Sequence, residues 1–157
     1  MNNYFYQGPI ISQEKIRIYS NDTVLDVNRR ITEKGERLLK QFFKLVPSGQ
    51  LTGYPQNPEK ASYFPLRTPR DSKINWNNSA ESICNLVRAL TYPYPGAYFY
   101  FKGKKIVIER ARVIRRGPKN ISRGVPVLHN NTYLVKTGLD FLKITHLRNR
   151  ETLAFEH

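Results

Sequence analysis

The sequence has little of what most catalytic and secreted proteins need. A single cysteine, Cys84, excludes an internal disulfide, and its place on an expected helix marks it as a small buried thiol. No apolar run approaches the ~18 residues that would span a bilayer, so no membrane partner is expected. Met1-Asn2-Asn3-Tyr4 lacks the charged and then apolar pattern of a secretory signal, and a cytoplasmic setting is the expectation. The three histidines, His129, His146 and His157, have no carboxylate or cysteine at ligand spacing, which argues against a metal centre. Gly8, Gly35, Gly49 and Gly53 are isolated and form no phosphate-cradling motif. Acidic residues are scarce, and Asp22, Asp26, Asp71 and Glu81 read as caps or turn residues. No Ser–His–Asp arrangement can be built, so no catalytic residue is assigned.

What is abundant is positive charge. Against 12 Asp and Glu stand 26 Lys and Arg, a formal net charge of +14, which favours polyanionic partners such as RNA or nucleotide phosphates. At 39% hydrophobic residues the chain can still bury a core, and 157 residues suit one ordinary domain or a small domain with an accessory piece.

Along the chain, aromatic and β-branched residues predict short strands at Tyr4–Tyr6 and Lys15–Tyr19. Thr23 and Asp26 have capping-box spacing, and the apolar positions that follow predict a helix over Val24–Leu45, ended by Pro47-Ser48-Gly49. Pro55, Pro58, Pro65 and Pro69 mark residues 50–73 as an extended connector and a domain boundary. A second helix is expected after Asn78, capped by Asn78 with Glu81 and stopped by Pro93; Ile83, Leu86, Val87 and Leu90 form its apolar stripe. Five strands follow, at Ala97–Phe101, Lys105–Ile114, Pro126–Leu128, Thr132–Val135 and Phe141–Leu147, parted by turns at Lys102-Gly103-Lys104, Asn130-Asn131 and Gly138. One helix leading into five short antiparallel strands predicts a small closed or partly open β-barrel.

The densest signal runs through Arg67-Thr68-Pro69-Arg70-Asp71-Ser72-Lys73-Ile74-Asn75-Trp76, Val87-Arg88-Ala89 and Pro93-Tyr94-Pro95-Gly96-Ala97. In order and spacing it resembles the folate-dependent N-formyltransferases, whose pattern is Arg-x-Pro-x-Asp-Gly-x-Ile-Asp-Trp, a helix with a late Ile-Arg-Ala, and Pro-Tyr/Trp-Pro-Gly-Ala. Ser72 replaces the usual glycine and Asn75 the usual aspartate. Fainter matches extend outward, through Tyr54-Pro55-Gln56 and Ala61-Ser62-Tyr63, the helix Val24–Leu45, and the segments Phe99–Ala111 and Val127–Ile144. The resemblance implies an α+β chain, in which residues 1–64 are a strand-and-helix remnant of the catalytic domain plus connector. Residues 65–157 are then the family's helix and OB-like barrel.

The resemblance also implies transfer of a formyl group from 10-formyltetrahydrofolate to a primary amine, on an amino-sugar nucleotide or on the methionine of an initiator tRNA. The family's reactive Asn, His and Asp would all precede Met1. The expected function is therefore that of a C-terminal formyltransferase segment, of the amino-sugar nucleotide type, inactive alone and binding no cofactor by itself. A truncated gene or gene fragment is the first expectation; the other is a split enzyme, in which a separate N-terminal formyltransferase half is the partner. The alternatives are the C-terminal domain of a methionyl-tRNA formyltransferase and a stand-alone basic OB-like module that binds RNA. Gln56, Tyr63, Arg67, Trp76 and Arg88 are the candidate substrate-binding residues. Each has a structural reading beside it: Trp76 as a hydrophobic anchor, Arg88 as a cation at a helix C-terminus, and Tyr63 and Arg67 as packing of the connector. Lys102, Lys104, Lys105, Arg112, Arg115 and Arg116, with the aromatics Tyr98, Phe99, Tyr100 and Phe101 nearby, are the candidate nucleic-acid or phosphate contacts.

Overall fold

The computed structural model describes residues 8–49 and 51–148. The chain divides into two compact units, Met1–Ser20 with Asp26–Leu66, and Asn21–Leu25 with Arg67–His157.

The first unit is dominated by α1, Val24–Leu45, which covers the span predicted from its apolar stripe. A short 3₁₀ turn, Val46–Ser48, ends it, with Gly49 in the left-handed region (φ 66°). None of the 22 residues of α1 is buried. Ile10 and Tyr54 form an isolated antiparallel bridge through N–H···O bonds of 2.9 and 3.1 Å. The expected strand at Lys15–Tyr19 does not form; these residues carry no ladder. The aromatic that suggested a strand is engaged otherwise, with the Arg17 and Arg30 guanidinium groups 5.1 and 5.0 Å from the centre of the Tyr19 ring. The expected strand at Tyr4–Tyr6 lies outside the described residues.

In the second unit, α2 (Ala80–Ala89) begins where Ser79 Oγ accepts a hydrogen bond from the Ser82 N–H. The cap is thus Ser79, one residue beyond the Asn78 expected. Asn78 is committed elsewhere, its carbonyl accepting from Gly138 N at 2.9 Å. Five strands follow: β1 Ala97–Phe101, β2 Lys104–Ile114, β3 Pro126–His129, β4 Thr132–Lys136 and β5 Phe141–Leu147. They form one antiparallel sheet in the order β1-β2-β5-β4-β3. The sheet curls into a half-barrel, with β1 and β3 as its edges and no pairing between them among the described residues. Two hairpins fix the register. Lys102-Gly103 (φ 47° and 75°) and Asn130-Asn131 (φ 47° and 59°) are two-residue turns with both residues left-handed, whose twist suits adjacent antiparallel strands.

The apolar stripe of α2 supplies Ile83, Cys84, Val87 and Leu90 to the core, against Ala97 and Phe99 of β1, Ile106 and Ile108 of β2, Val135 of β4 and Leu142 and Ile144 of β5. Burial pushes the Cys84 thiol up from its ordinary pKa, with Arg88 opposing and Glu81 adding to the rise, so it is an inert packing group. No helix among the described residues is long and apolar enough to cross a membrane.

The tightest closure of this unit is Gly138, where a Cβ would stand 1.9 Å from the Asn77 carbonyl oxygen. Because the obstacle is backbone, no rotamer change can relieve it. Gly138→Ala is expected to cost ~2–4 kcal/mol of unfolding free energy, read from urea denaturation followed by circular dichroism. A loss below ~0.5 kcal/mol would show that this closure is soft.

Candidate functional site

The segment leading into α2 is a series of local locks. The Thr68 N–H and hydroxyl both donate to Asp71 Oδ2, at 2.6 and 3.0 Å. Arg67 Nη2 donates to the Asp71 carbonyl oxygen at 3.1 Å. The Asp71 carboxyl is held below its ordinary pKa, first by the Thr68 N–H, then by the Thr68 hydroxyl. Asn75 Oδ1 accepts from Asn77 N at 3.0 Å. A carboxylate at this position could accept the same bond, so the turn does not depend on asparagine itself. Trp76 packs edge-on against Phe99, with ring centres 5.2 Å apart and planes at 84°. It works as the anchor between the α2 entrance and the sheet.

The candidate substrate-binding residues are divided between the two units. Gln56 and Tyr63 belong to the first unit: Gln56 Nε2 donates to the Gly8 carbonyl at 2.8 Å, and Tyr63 is 84% exposed. Arg67, Trp76 and Arg88 belong to the second unit. Arg67 and Trp76 are engaged as above, and Arg88 Nη2 donates to Asn85 Oδ1 at 2.6 Å, one turn back on α2.

The cationic cluster splits in two. On the outer face of β1, the Tyr98 and Tyr100 rings meet edge to face at 5.8 Å. Lys105 Nζ stands 4.1 Å from the centre of the Tyr98 ring and Lys73 Nζ 5.9 Å from that of Tyr100. Lys102 lies in the adjoining turn, 5.8 Å from the Phe101 ring centre, and Lys104 is exposed at the start of β2. Strand alternation turns Ala97 and Phe99 inward and leaves these tyrosines outside. Arg112, Arg115 and Arg116 are exposed toward the other end of β2. At a strand rise of about 3.3 Å per residue, Arg112 lies roughly 23 Å along β2 from Lys105. Arg112 pairs in register with Lys143.

Between these ends lies a constellation that sequence reasoning did not single out. Glu109, in the middle of β2, ties three parts of the unit together. Its Oε1 accepts from the Thr91 hydroxyl (2.5 Å) and the Tyr92 N–H (3.0 Å), and its Oε2 accepts from Arg148 Nε (2.8 Å). Arg148 Nη1 in turn donates to the Tyr94 carbonyl at 2.8 Å. Gly96 (φ 89°) passes so close that a Cβ there would meet Val107 Cγ1 at 2.3 Å and the Arg148 guanidinium at 3.3 Å. Burial by itself would raise the Glu109 pKa. The bonds from Thr91, Tyr92 and Arg148, with the Arg148 charge, outweigh it and hold the carboxyl below its ordinary value. The one available signal was composition, since Glu109 is the only acid between Lys102 and Arg116. A cleft of about 380 Å³ opens beside this network, lined by Tyr92, Glu109, Arg110, His146, Leu147 and Arg148.

A depressed carboxyl pKa stabilises the fold above the unfolded-state value, and that contribution is lost as pH falls through the folded-state value. The wild type is therefore expected to lose stability below about pH 4.3 in part through Glu109. Glu109→Gln should cost about 1–2 kcal/mol at pH 7, less at pH 3, measured by thermal unfolding at both values. An equal cost at the two pH values would show that the charge of Glu109 plays no part.

Residues 67–155 match the family model described as formyl transferase, C-terminal domain. Several solved structures share the fold, three of which illustrate the range. A variant of HypX from Aquifex aeolicus superposes with a TM-score of 0.70 at 15% identity, over 95% of this chain and 27% of that one. An N-formyltransferase from Helicobacter canadensis, solved with folinic acid and dTDP-3-aminofucose, gives 0.66 at 20% identity, over 94% of this chain and 53% of that one. The methionyl-tRNA formyltransferase from Clostridium thermocellum gives 0.58 at 18% identity, over 73% of this chain and 48% of that one. The chain thus spans roughly a quarter to a half of the length of these relatives. With the family model covering more than half of its residues, the chain belongs to the formyl transferase C-terminal domain family.

Proposed function

We propose that this chain is the C-terminal segment of a 10-formyltetrahydrofolate-dependent N-formyltransferase that acts on an amino-sugar nucleotide. Its reactive Asn, His and Asp come from outside these 157 residues. In the reaction the acceptor amine attacks the formyl carbon, the bond from that carbon to N10 of the folate breaks, and the amine's proton ends on N10. That needs a base and donors to a developing oxyanion. In the helix-and-sheet unit the two carboxylates that hydrogen bonding holds ionised, Asp71 and Glu109, are both committed to structural bonds.

The observation that carries this reading is the uncovered apolar face of α1. Ile31 is 52%, Leu39 57% and Phe43 65% exposed, and no described residue of the first unit is buried. A helix so patterned forms stably only when that face is covered. We assign residues 1–64 the role of docking onto a catalytic formyltransferase half, with residues 65–157 as an OB-like module beside it.

The purified chain is expected to formylate no dTDP-3-aminofucose with 10-formyltetrahydrofolate. Supplied with a separately produced N-terminal formyltransferase half, it should co-elute with that half and turn over. Ile31→Asp with Phe43→Asp should abolish both co-elution and turnover. Turnover by the chain alone, or co-elution unaffected by the double substitution, would sink the proposal.

A second reading, an RNA-binding role of the basic face, is favoured by the exposed ring of Tyr100 and the half-buried ring of Tyr98 with lysines beside them, since bases stack on outward rings while cations meet phosphates. It covers both the tRNA-directed family type and a stand-alone module. A fluorescent single-stranded RNA should then bind with an affinity that falls steeply with salt, and Tyr98→Ala and Lys105→Ala should each weaken it about fivefold or more. Salt-insensitive binding, or none, would overturn this second reading.

A further inference from the structure

The β2–β5 ladder is regular at Ala111↔Ile144, Arg112↔Lys143, Val113↔Leu142 and Ile114↔Phe141, but shifts register on both sides of the Arg110↔His146 pair. Between Ile108 and Arg110 β2 advances two residues while β5 advances one, and between Arg110 and Ala111 the imbalance reverses. Such irregularities re-aim side chains. Here Arg110 and His146 sit opposite one another, both exposed, and both line the cleft of about 380 Å³.

The charges around that cleft do not cancel. Glu109, its one acid, is saturated by Thr91, the Tyr92 N–H and Arg148. Neither the Arg110 nor the His146 side chain makes a hydrogen bond or ion pair among the described residues. Among the described residues the cleft therefore presents an unpaired guanidinium and an unpaired imidazole over a neutralised floor. At its rim stands the Tyr92 ring, 69% exposed, while the Tyr92 backbone is pinned by its N–H bond to Glu109. A planar fork beside a second nitrogen donor suits a phosphate, and a ring held by its backbone suits a base or another flat ring.

We propose that this cleft binds a nucleoside phosphate, with Arg110 and His146 on the phosphate and Tyr92 stacked on the base. The site lies wholly within the helix-and-sheet unit and does not depend on formyl transfer. An assay of turnover and a measurement of this binding can fail independently.

The test uses the full chain, ¹⁵N-labelled, with ADP as probe and with inorganic pyrophosphate and adenosine as its two halves. ADP is expected to shift amides around Tyr92, Arg110 and His146. Arg110→Ala and His146→Ala should each weaken ADP about tenfold or more and weaken pyrophosphate likewise. Tyr92→Ala should weaken ADP and adenosine about fivefold and leave pyrophosphate unchanged. These three side chains are exposed or make no bond that holds the fold, and amide spectra of the variants report their folding directly. Shifts centred on Tyr98–Lys105, ADP binding that survives both cation substitutions in a folded protein, or no binding at all would each overturn the assignment.

Discussion

A sheet that curls around one helix needs its entrance pinned, because the chain must leave the helix, turn, and enter the edge strand without opening the core. The Glu109 carboxylate does this. Through Thr91 and the Tyr92 N–H it holds the segment just after α2, and through Arg148 and the Tyr94 carbonyl it holds the chain just beyond β5. Its bonds thus link residues 18 and 39 positions away in sequence. Burial by itself would raise the pKa of this carboxyl; with these donors it is held below its ordinary value. The Pro93-Tyr94-Pro95-Gly96-Ala97 motif can then be read physically. Gly96 is the residue that lets the chain pass between Val107 and the Arg148 guanidinium.

Much of the second unit was legible in the sequence because its signals are local. β1 and β5 have the bounds expected from their β-prone residues and the turn residues that flank them. Gly103 and the Asn130-Asn131 pair name left-handed turns by residue type alone. β2, β3 and β4 are each one residue longer than expected, since Lys104, His129 and Lys136 pair with Phe101, Thr132 and Phe141. No propensity reports a partner's register. The α2 cap was misplaced for a related reason. Asn78 and Ser79 are both good caps, and the choice is made by Gly138, sixty positions on, which takes the Asn78 carbonyl.

The candidate site was less legible, and the reason is the same at each residue. Arg67, Trp76 and Arg88 belong to a strong motif, but their side chains serve the motif's own turn, the sheet and α2 respectively. A motif preserved for its geometry looks the same in sequence as one preserved for its ligand. Tyr98 and Tyr100 were separable from Phe99 by period alone, whereas Lys73 joins them only because Ile74 N bonds to the Tyr98 carbonyl, at 2.7 Å. In the first unit the helix was read correctly and the strand at Lys15–Tyr19 was not. A strand is a relation between two segments, and composition describes only one of them.

The two units therefore pose opposite physical problems. The helix-and-sheet unit has satisfied its apolar surface, with α2 covering the inner face of the sheet. What it leaves unsatisfied is charge: Lys105, Arg110 and Arg112 along β2 all stand exposed. The first unit is the reverse, with an apolar helix face that nothing in the unit buries. Uncovered apolar surface is relieved by burial against another apolar surface, over a large area and with little regard to salt. Uncompensated cations are relieved by anions, over a small area and with strong dependence on salt. A protein built this way should meet a protein partner through α1 and an anionic ligand through β2. The two contacts differ in driving force, burial of apolar surface in one and compensation of charge in the other.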